Sequence, residues 1–464
     1  MSFPRYPKYK DSGVEWLGQV PEHWNLIQGR RLFSQEREPS KSTDEQLSAT
    51  QKYGVVPQKL FMEMEDSKVT LALSGIGNFK HVEEDDFVIS LRSFQGGIER
   101  SKYSGCVSPA YTVLRPVEPI NGTFWSFLLK SKSYIEALQT MTDGIRDGKN
   151  ISYQQFGQIR LPFAPLPEQN RIAAFLDQET AKIDALVAEQ ARLMALLKEK
   201  RQAVISYAVT KGLNPKAALK PSSIEWLGDV PAHWKVGKCG FYISILSGFA
   251  FPSTGFSDDE NNTRLLRGIN VGVSQLKWDE TVYWRRTEND GLDIYEMKAG
   301  DLVIGMDRPL INEGIRVAKV KESDLPCLLL QRVASLKAGT LLNSDFLLGL
   351  LSSEMFVAHF LPDTTGVSVP HISPEQINNF IIPVPPVNEQ EAIVDFVKTE
   401  TDKFNTLTAE AQHAIDLLQE RRTALISAAV TGQIDVRGVA HANSKNHLVG
   451  TDEMVSQPRK NSSP

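Results

Sequence analysis

Among residue types that could do chemistry, two of the chain's eight histidines stand in one repeated setting: His23 and His233 each lie two residues after a proline and just before a tryptophan. A general base needs an acid that orients it, and Glu15 and Glu225 qualify formally because they also recur. The neighbouring residues favour architecture. Trp16, Trp24, Trp226 and Trp234 read as aromatic anchors that pin an entry segment to a core, with His23 and His233 adding a hydrogen bond. Gly144, Gly148 and Lys149 form the nearest approach to a phosphate loop, but three residues separate the glycines where four are needed, and Asn150 replaces the Mg²⁺-binding Ser or Thr. Gly75 and Gly77 make a lone Gly-x-Gly without the third glycine of a dinucleotide fold. Neither HExxH, GxSxG nor the Asn/Asp-Pro-Pro-aromatic run of a base-flipping methyltransferase occurs. The expectation is a chain with no catalytic residue, no metal site and no cofactor of its own.

The elements that hold these residues are repeated. EWLGQVPEHW at 15–24 returns as EWLGDVPAHW at 225–234, and LLKEKRQAVISYAVT at 196–210 returns as LLQERRTALISAAVT at 417–431. The second offset, 221, also joins Pro165, Glu168 and Gln169 to Pro386, Glu389 and Gln390, and Ile151-Ser152 to Ile372-Ser373. Such self-similarity marks a tandem duplication. Between the matched ends the two bodies show no convincing similarity.

From Glu168 to Lys211 and from Glu389 to Thr431 there is neither Gly nor Pro, and strong helix formers dominate. At 1.5 Å per residue these helices reach roughly 65 Å. A heptad seam runs through Leu176, Ile183, Leu186, Leu193, Leu197 and Val204, and through Val397, Phe404, Leu407, Leu418 and Leu425. Matching stripes predict an antiparallel coiled coil. The bodies mix strand-like runs (DFVISLRSF, AYTVLRPV, DLVIGM, GIRVAKV) with helical ones (TFWSFLLKSKSYIEALQTM, SDFLLGLLSSEMFVAHFL). The fold expected is α+β: two α/β globular domains in tandem repeat, each followed by a long helix. Its divisions are a first body at 1–165, a helix at 166–212, a second body at 213–386, a helix at 387–433 and a disordered tail at 434–464.

Two dissimilar α/β bodies, each closed by a long helix that opens near Pro-x-x-Glu-Gln and ends near Ala-Val-Thr, resemble the specificity subunit of type I restriction-modification systems. The resemblance covers residues 1 to about 435 and implies that the tandem repeat has pseudo-twofold symmetry. It implies that each body is a target recognition domain for one half of a bipartite, asymmetric DNA site, and that the paired helices set the half-site spacing. The partners it implies are double-stranded DNA, two methyltransferase subunits and, through the complex, restriction/translocase subunits. S-adenosylmethionine and ATP/Mg are then expected on those partners alone.

Reading bases takes side chains with bidentate reach, Arg or Lys for guanine and Asn or Gln for adenine. The clusters that fit are Arg92, Ser93, Gln95, Gly96, Gly97 and Arg100 in the first body, and Arg308, Asn312, Arg316, Gln331 and Arg332 in the second. Arg146 with Lys149, and Thr364-Thr365 before Ser368, stand shortly ahead of the Ile-Ser pairs and are expected to meet phosphates. The net charge of −5 argues against a protein that neutralises phosphates over its whole surface, and a scaffold whose bodies bind proteins accommodates it better. The first body is nearly neutral, with 20 basic against 19 acidic residues over 1–165, so phosphate binding is expected from a local patch or from partners. No membrane span or secretory leader is apparent, and the spacing of Cys106, Cys239 and Cys327 fits neither zinc nor a disulfide framework, so a cytoplasmic location is expected.

Overall fold

The computed structural model describes residues 3–65, 76–90, 97–140, 151–311, 314–360 and 370–439. The chain divides into two compact units, one made of Met1–Glu189 with Ala414–Pro464, the other of Gln190–His413. Four helices carry the frame: α1 (Gly122–Leu129), α2 (Leu166–Lys211), α3 (Ser344–Leu351) and α4 (Val387–Val430). Each long helix therefore gives one end to each unit.

In the first unit β1 (Phe33–Glu36), β2 (Phe87–Ile89), β3 (Ile98–Arg100) and β4 (Thr112–Pro116) form an antiparallel sheet in the order β1-β4-β2-β3. In the second unit β5 (Ile243–Ser247), β6 (Leu302–Gly305), β7 (Val317–Lys319) and β8 (Val333–Ala338) adopt the same permutation, β5-β8-β6-β7. The registers agree as well. Phe87 lies opposite Arg100 and Leu114, and Leu302 lies opposite Lys319 and Leu336. The bodies that look unrelated in sequence thus share one sheet, because a strand position specifies an apolar face and a register more than a residue identity. What differs is attached to it: a hairpin of Leu47–Thr50 and Gly54–Pro57 in the first unit, and a three-stranded sheet of Thr263–Leu266, Tyr283–Trp284 and Cys327–Leu329 in the second.

The repeated residues outside the sheets have local jobs. Ser152 and Ser373 cap short helices through capping boxes with Gln155 and Gln376, while Ile151 and Ile372 are buried beneath them. Asn25–Gln28 pairs with Arg160–Phe163, and Lys235–Lys238 with Ile381–Val384. Each core gathers aromatics around the ends of both long helices. Trp24, Phe33 and Trp125 meet Leu176 and Leu425, and Trp234, Phe356 and Phe380 share a cluster with Val209 and Ile393.

Within each unit the two long helices run antiparallel. Asp184 pairs with Arg422 at 2.9 Å in the first unit, and Asn405 accepts from Arg201 at 3.4 Å in the second, the same contact repeated at the 221-residue offset. The heptad assignment needs correction in one of its two rows. Leu176, Ile183, Leu197, Phe404 and Leu425 are buried, and Val204, Val397 and Leu418 are half-buried, but Leu186, Leu193 and Leu407 are exposed by 52, 42 and 46%. The second inward row is Thr180, Val187, Met194, Arg201 and Ala208, matched by Thr401, Thr408, Ile415, Arg422 and Ala429. Threonine and arginine in that row hide it from a hydrophobicity count, while leucines on the outside imitate it. The tail expected from 434 needs correction at its first residues. Val436 is 3% exposed among core residues, Ile434 and Val439 pack there, and the Asp435 amide donates to the Pro4 carbonyl at 2.8 Å, so residues 434–439 belong to the first unit. Residues 440–464 lie outside the described set.

Candidate nucleic-acid interface

The repeated His-Trp and Glu-Gln pairs meet, and their partners differ from those spacing suggested. Glu168, at the start of α2, accepts from His23 Nε2 at 2.8 Å, from Trp24 Nε1 at 3.1 Å and from the Tyr6 hydroxyl. Burial and this carboxylate together push the Tyr6 phenol well above its ordinary pKa. In the second unit Glu389 accepts from His233 at 2.8 Å. The acids beside the two histidines are therefore Glu168 and Glu389, not Glu15 and Glu225. The next residue clamps the helix start to the body. Gln169 accepts from the Asn121 amide (3.0 Å) and Trp125 Nε1 (3.1 Å) and donates to the Ala164 carbonyl (2.8 Å). Gln390 accepts from the Asn343 amide (2.7 Å) and donates to the Leu341 (3.0 Å) and Pro385 (2.8 Å) carbonyls. Trp24 and Trp234 are sealed, Trp16 packs edge-on against Tyr134, and Trp226 stacks on Phe380 at 5.5 Å. Buried glutamine clamps and packed aromatic rings of this kind are architecture.

Another titratable cluster is an ion-pair network. Glu38, His81 and Glu83 place ligand atoms within 4.8 Å of one another, but the Lys41 ammonium stands 2.9 Å from His81 Nε2 and 3.3 Å from Glu38, where a cation would sit. Asp44 holds the other face of the His81 ring at 2.9 Å.

The candidate DNA residues fall on equivalent connections. Arg92, Ser93, Gln95, Gly96 and Gly97 belong to the β2–β3 connection, and Arg308, Asn312 and Arg316 to the β6–β7 connection; these strands are equivalent in the two sheets. Of these, Arg92, Ser93, Gln95, Gly96 and Asn312 lie outside the described residues, as do Arg146, Lys149, Thr364, Thr365 and Ser368. Gly97 is described, and its carbonyl accepts from the Ser90 amide at 2.9 Å, closing the base of the first connection.

Two candidates prove to be braces. Arg100 Nε donates to Asp85 at 2.6 Å and Nη1 to Thr123 at 3.0 Å, tying β3 to α1. Its counterpart in register, Lys319, binds Asp345 at 2.7 Å at the start of α3, so the contact is part of the frame. Arg316 Nε donates to the Val271 carbonyl (2.9 Å) and Nη1 to the Asp307 carbonyl (3.0 Å), and burial lowers its pKa. It braces the β6–β7 connection from behind.

The remaining candidates converge. Arg308 is exposed just beyond β6, and exposed Gln331 and Arg332 immediately precede β8. Because Gly305 pairs with Val333 and the Met306 amide donates to the Arg332 carbonyl at 2.9 Å, the two segments adjoin at one end of the sheet. Asp307 and His371, which no sequence pattern singles out, join them: His371 Nδ1 lies 2.7 Å from Asp307, and Arg332 Nη1 lies 3.8 Å from the same oxygen.

A duplicated frame that presents different connections from the same edge of the same sheet defines a class of two-bodied recognition proteins. Comparison with known proteins shows what the chain resembles. Residues 276–416 match the type I restriction modification DNA specificity domain. The type I restriction enzyme MjaVIII specificity subunit of Methanocaldococcus jannaschii is 25% identical over 428 residues, 91% of this chain and 95% of that one. The EcoAI specificity subunit of Escherichia coli is 36% identical over 168 residues, 36% of this chain and 28% of its own length. Among solved structures, a chain from a study of complex assembly and conformational transition in a type I R-M system superposes with a TM-score of 0.68 at 17% identity, covering 89% of this chain and 98% of that one. The HsdS subunit of Thermoanaerobacter tengcongensis superposes with a TM-score of 0.50, also at 17% identity, over 91 and 99%. Over most of its length the chain is thus similar to type I restriction-modification specificity subunits.

Proposed function

We propose that this chain gives a type I restriction-modification complex its DNA sequence, each body reading one half of a bipartite, asymmetric site. The subunit is non-catalytic; adenine methylation and the cleavage of unmodified DNA belong to partner subunits, which bring S-adenosylmethionine, ATP and Mg²⁺. The observation that carries this reading is the contrast between a frame repeated down to single hydrogen bonds and the unlike connections at 90–97 and 306–316 that it presents. A scaffold has no need to vary the same edge twice. The recognition bodies are residues 1–165 and 213–386, and the long helices set the distance between half-sites.

Two features support docking of two methyltransferase subunits along those helices. Leu186 and Leu417 in the first unit, and Leu193, Leu196, Tyr207, Phe396 and Leu407 in the second, expose apolar surface on α2 and α4. Within the second unit a cleft of about 930 Å³, lined by Ile205, Val209, Ile315, Phe346 and Val397, opens beside both helices. Among the described residues no helix is long and apolar enough to cross a membrane, which suits cytoplasmic DNA work. Co-expression with the cognate methyltransferase and genome-wide mapping of methylated adenines tests the reading. One gapped, two-part motif is expected; a continuous palindrome, or no site-specific methylation, overturns it.

A further inference from the structure

Six non-glycine residues among those described have positive φ. Four are Asp85, Ser223, Ser274 and Asn289, small polar residues of which Asp and Asn enter this region most readily; the other two are Arg308 (φ 45°) and Arg332 (φ 71°). Left-handed backbone at a long side chain is strained and persists only where its surroundings impose it. Both arginines occupy the same end of one sheet, and the surroundings are identifiable. The Arg308 amide donates to the Pro370 carbonyl at 2.7 Å, Asp307 bridges to His371, Arg316 supports the Asp307 carbonyl from beneath, and the Arg332 carbonyl is held by Met306.

The backbone is thus fixed while the side chains are left available. Arg332 has a side chain 62% exposed, and its one ion-pair partner among the described residues, Asp307, stands 3.8 Å away and already engages His371. No ion pair holds Arg308 among the described residues. Two guanidinium forks carried on fixed backbone suit a planar edge with two acceptors, and on DNA the base edge of that kind in the major groove is the O6/N7 side of guanine.

Resting on the function proposed above, we infer that Arg308 and Arg332 read guanine in the half-site bound by the second body, with Asp307 as the positioning residue that aims Arg332. The test substitutes glycine, which suits positive φ and so removes the side chain without endangering the fold. R308G and R332G are each co-expressed with the methyltransferase, and methylated adenines are mapped. In each variant one guanine, always in the same half of the motif, becomes degenerate, with discrimination there falling roughly tenfold to a hundredfold, and the other half-site keeps its sequence. R332K, which keeps the charge and loses the fork, relaxes the same position as R332G. D307N relaxes that position partially and no other, a selectivity that a merely structural role would not produce. Melting temperatures of R308G and R332G equal or exceed that of the parent.

A parent motif with guanine in neither half, or variants whose motifs keep every fixed base, overturns the inference and leaves the proposed function standing. Uniform loss of methylation with unchanged motifs, accompanied by a weaker salt dependence of binding, assigns the arginines to phosphates and also overturns it. A parent without a gapped motif overturns the underlying function and the inference with it.

Discussion

Replacing Gln169 by alanine tests whether the Glu-Gln motif is the joint between body and helix. The side chain is fully buried and makes three hydrogen bonds, from the Asn121 amide and Trp125 Nε1 and to the Ala164 carbonyl. Truncation strands all three partners, at about 1–3 kcal/mol for each group that finds no substitute, and leaves a small void. Allowing for water reaching the partly buried Asn121 amide, Q169A costs on the order of 3–5 kcal/mol. Q390A strands the Asn343 amide and the Leu341 and Pro385 carbonyls, but Leu341 is 58% exposed and its carbonyl can take water, so about 2–3 kcal/mol is expected. Urea denaturation followed by tryptophan fluorescence reads both, since Trp125 reports on the first unit and Trp226 and Trp234 on the second. Q169E refines the test: it keeps the acceptor and turns an oxygen toward the Ala164 carbonyl, so it should destabilise although it is isosteric. A loss below about 1 kcal/mol for Q169A, or a larger loss for Q390A than for Q169A, would refute the joint as described.

Glu99 carries a pH prediction. It is 1% exposed, and burial outweighs the Lys130 ammonium 2.5 Å away, raising its pKa from 4.5 to about 7. The folded state therefore holds a proton that the unfolded chain releases earlier, so stability falls as pH rises from about 4.5 to about 7. E99Q cannot ionise, and its gain over the parent should be larger at pH 8 than at pH 5 by on the order of 2–3 kcal/mol; equal gains in thermal melts at the two pH values count against it. An in-register heptad added to both long helices lengthens each by about 10 Å, close to three base-pair steps, so the methylated motif should widen its gap while both half-sites keep their bases. A widened gap with altered half-sites, or an unchanged gap, speaks against the helices as the spacer. Replacing Arg146 and Lys149 together by alanine should weaken binding to every sequence and flatten its salt dependence, read by DNA titration at several ionic strengths. Unchanged affinity and slope remove those residues from the phosphate contacts.

The legible part of this protein is the part that packing and capping constrain to particular residues. Only tryptophan fills the sites of Trp24 and Trp234, and only a glutamine both donates and accepts as Gln169 and Gln390 do, so the duplication left them visible. Glu168 was visible as a repeat but not as the partner of His23, because 145 residues separate them and only the fold joins them. The shared sheet was invisible for the opposite reason: Phe87 and Leu302, or Arg100 and Lys319, satisfy the same position with different side chains. The helix seam was half visible, since its second inward row carries Thr180 and Arg201. The chemistry of the arginines at positive φ is plain from their residue type, while their strained backbone has no sequence signature.

The two copies of the frame differ where chain continuity differs. In the second unit α2 runs through Gly212, at φ 73°, into the strand Leu219–Pro221 without a break in the chain. In the first unit the matching junction brings together the end of α4, past Gly432 at φ 75°, and the strand Tyr9–Asp11 near the other terminus. No peptide bond offsets the entropy of bringing those segments together there, so side chains must. Tyr6 donates to Glu168, the Arg437 guanidinium covers the Tyr6 ring at 4.8 Å, and the Asp435 amide reaches the Pro4 carbonyl. The second junction is held differently: Lys216 stands at the position matching Tyr6, the Lys211 ammonium at the end of α2 donates to the Asp229 carbonyl, and Trp234 Nε1 finds no partner among the described residues, whereas Trp24 donates to Glu168. The open junction is thus closed by side-chain contacts between its two segments, and the continuous one by the chain itself together with Lys211.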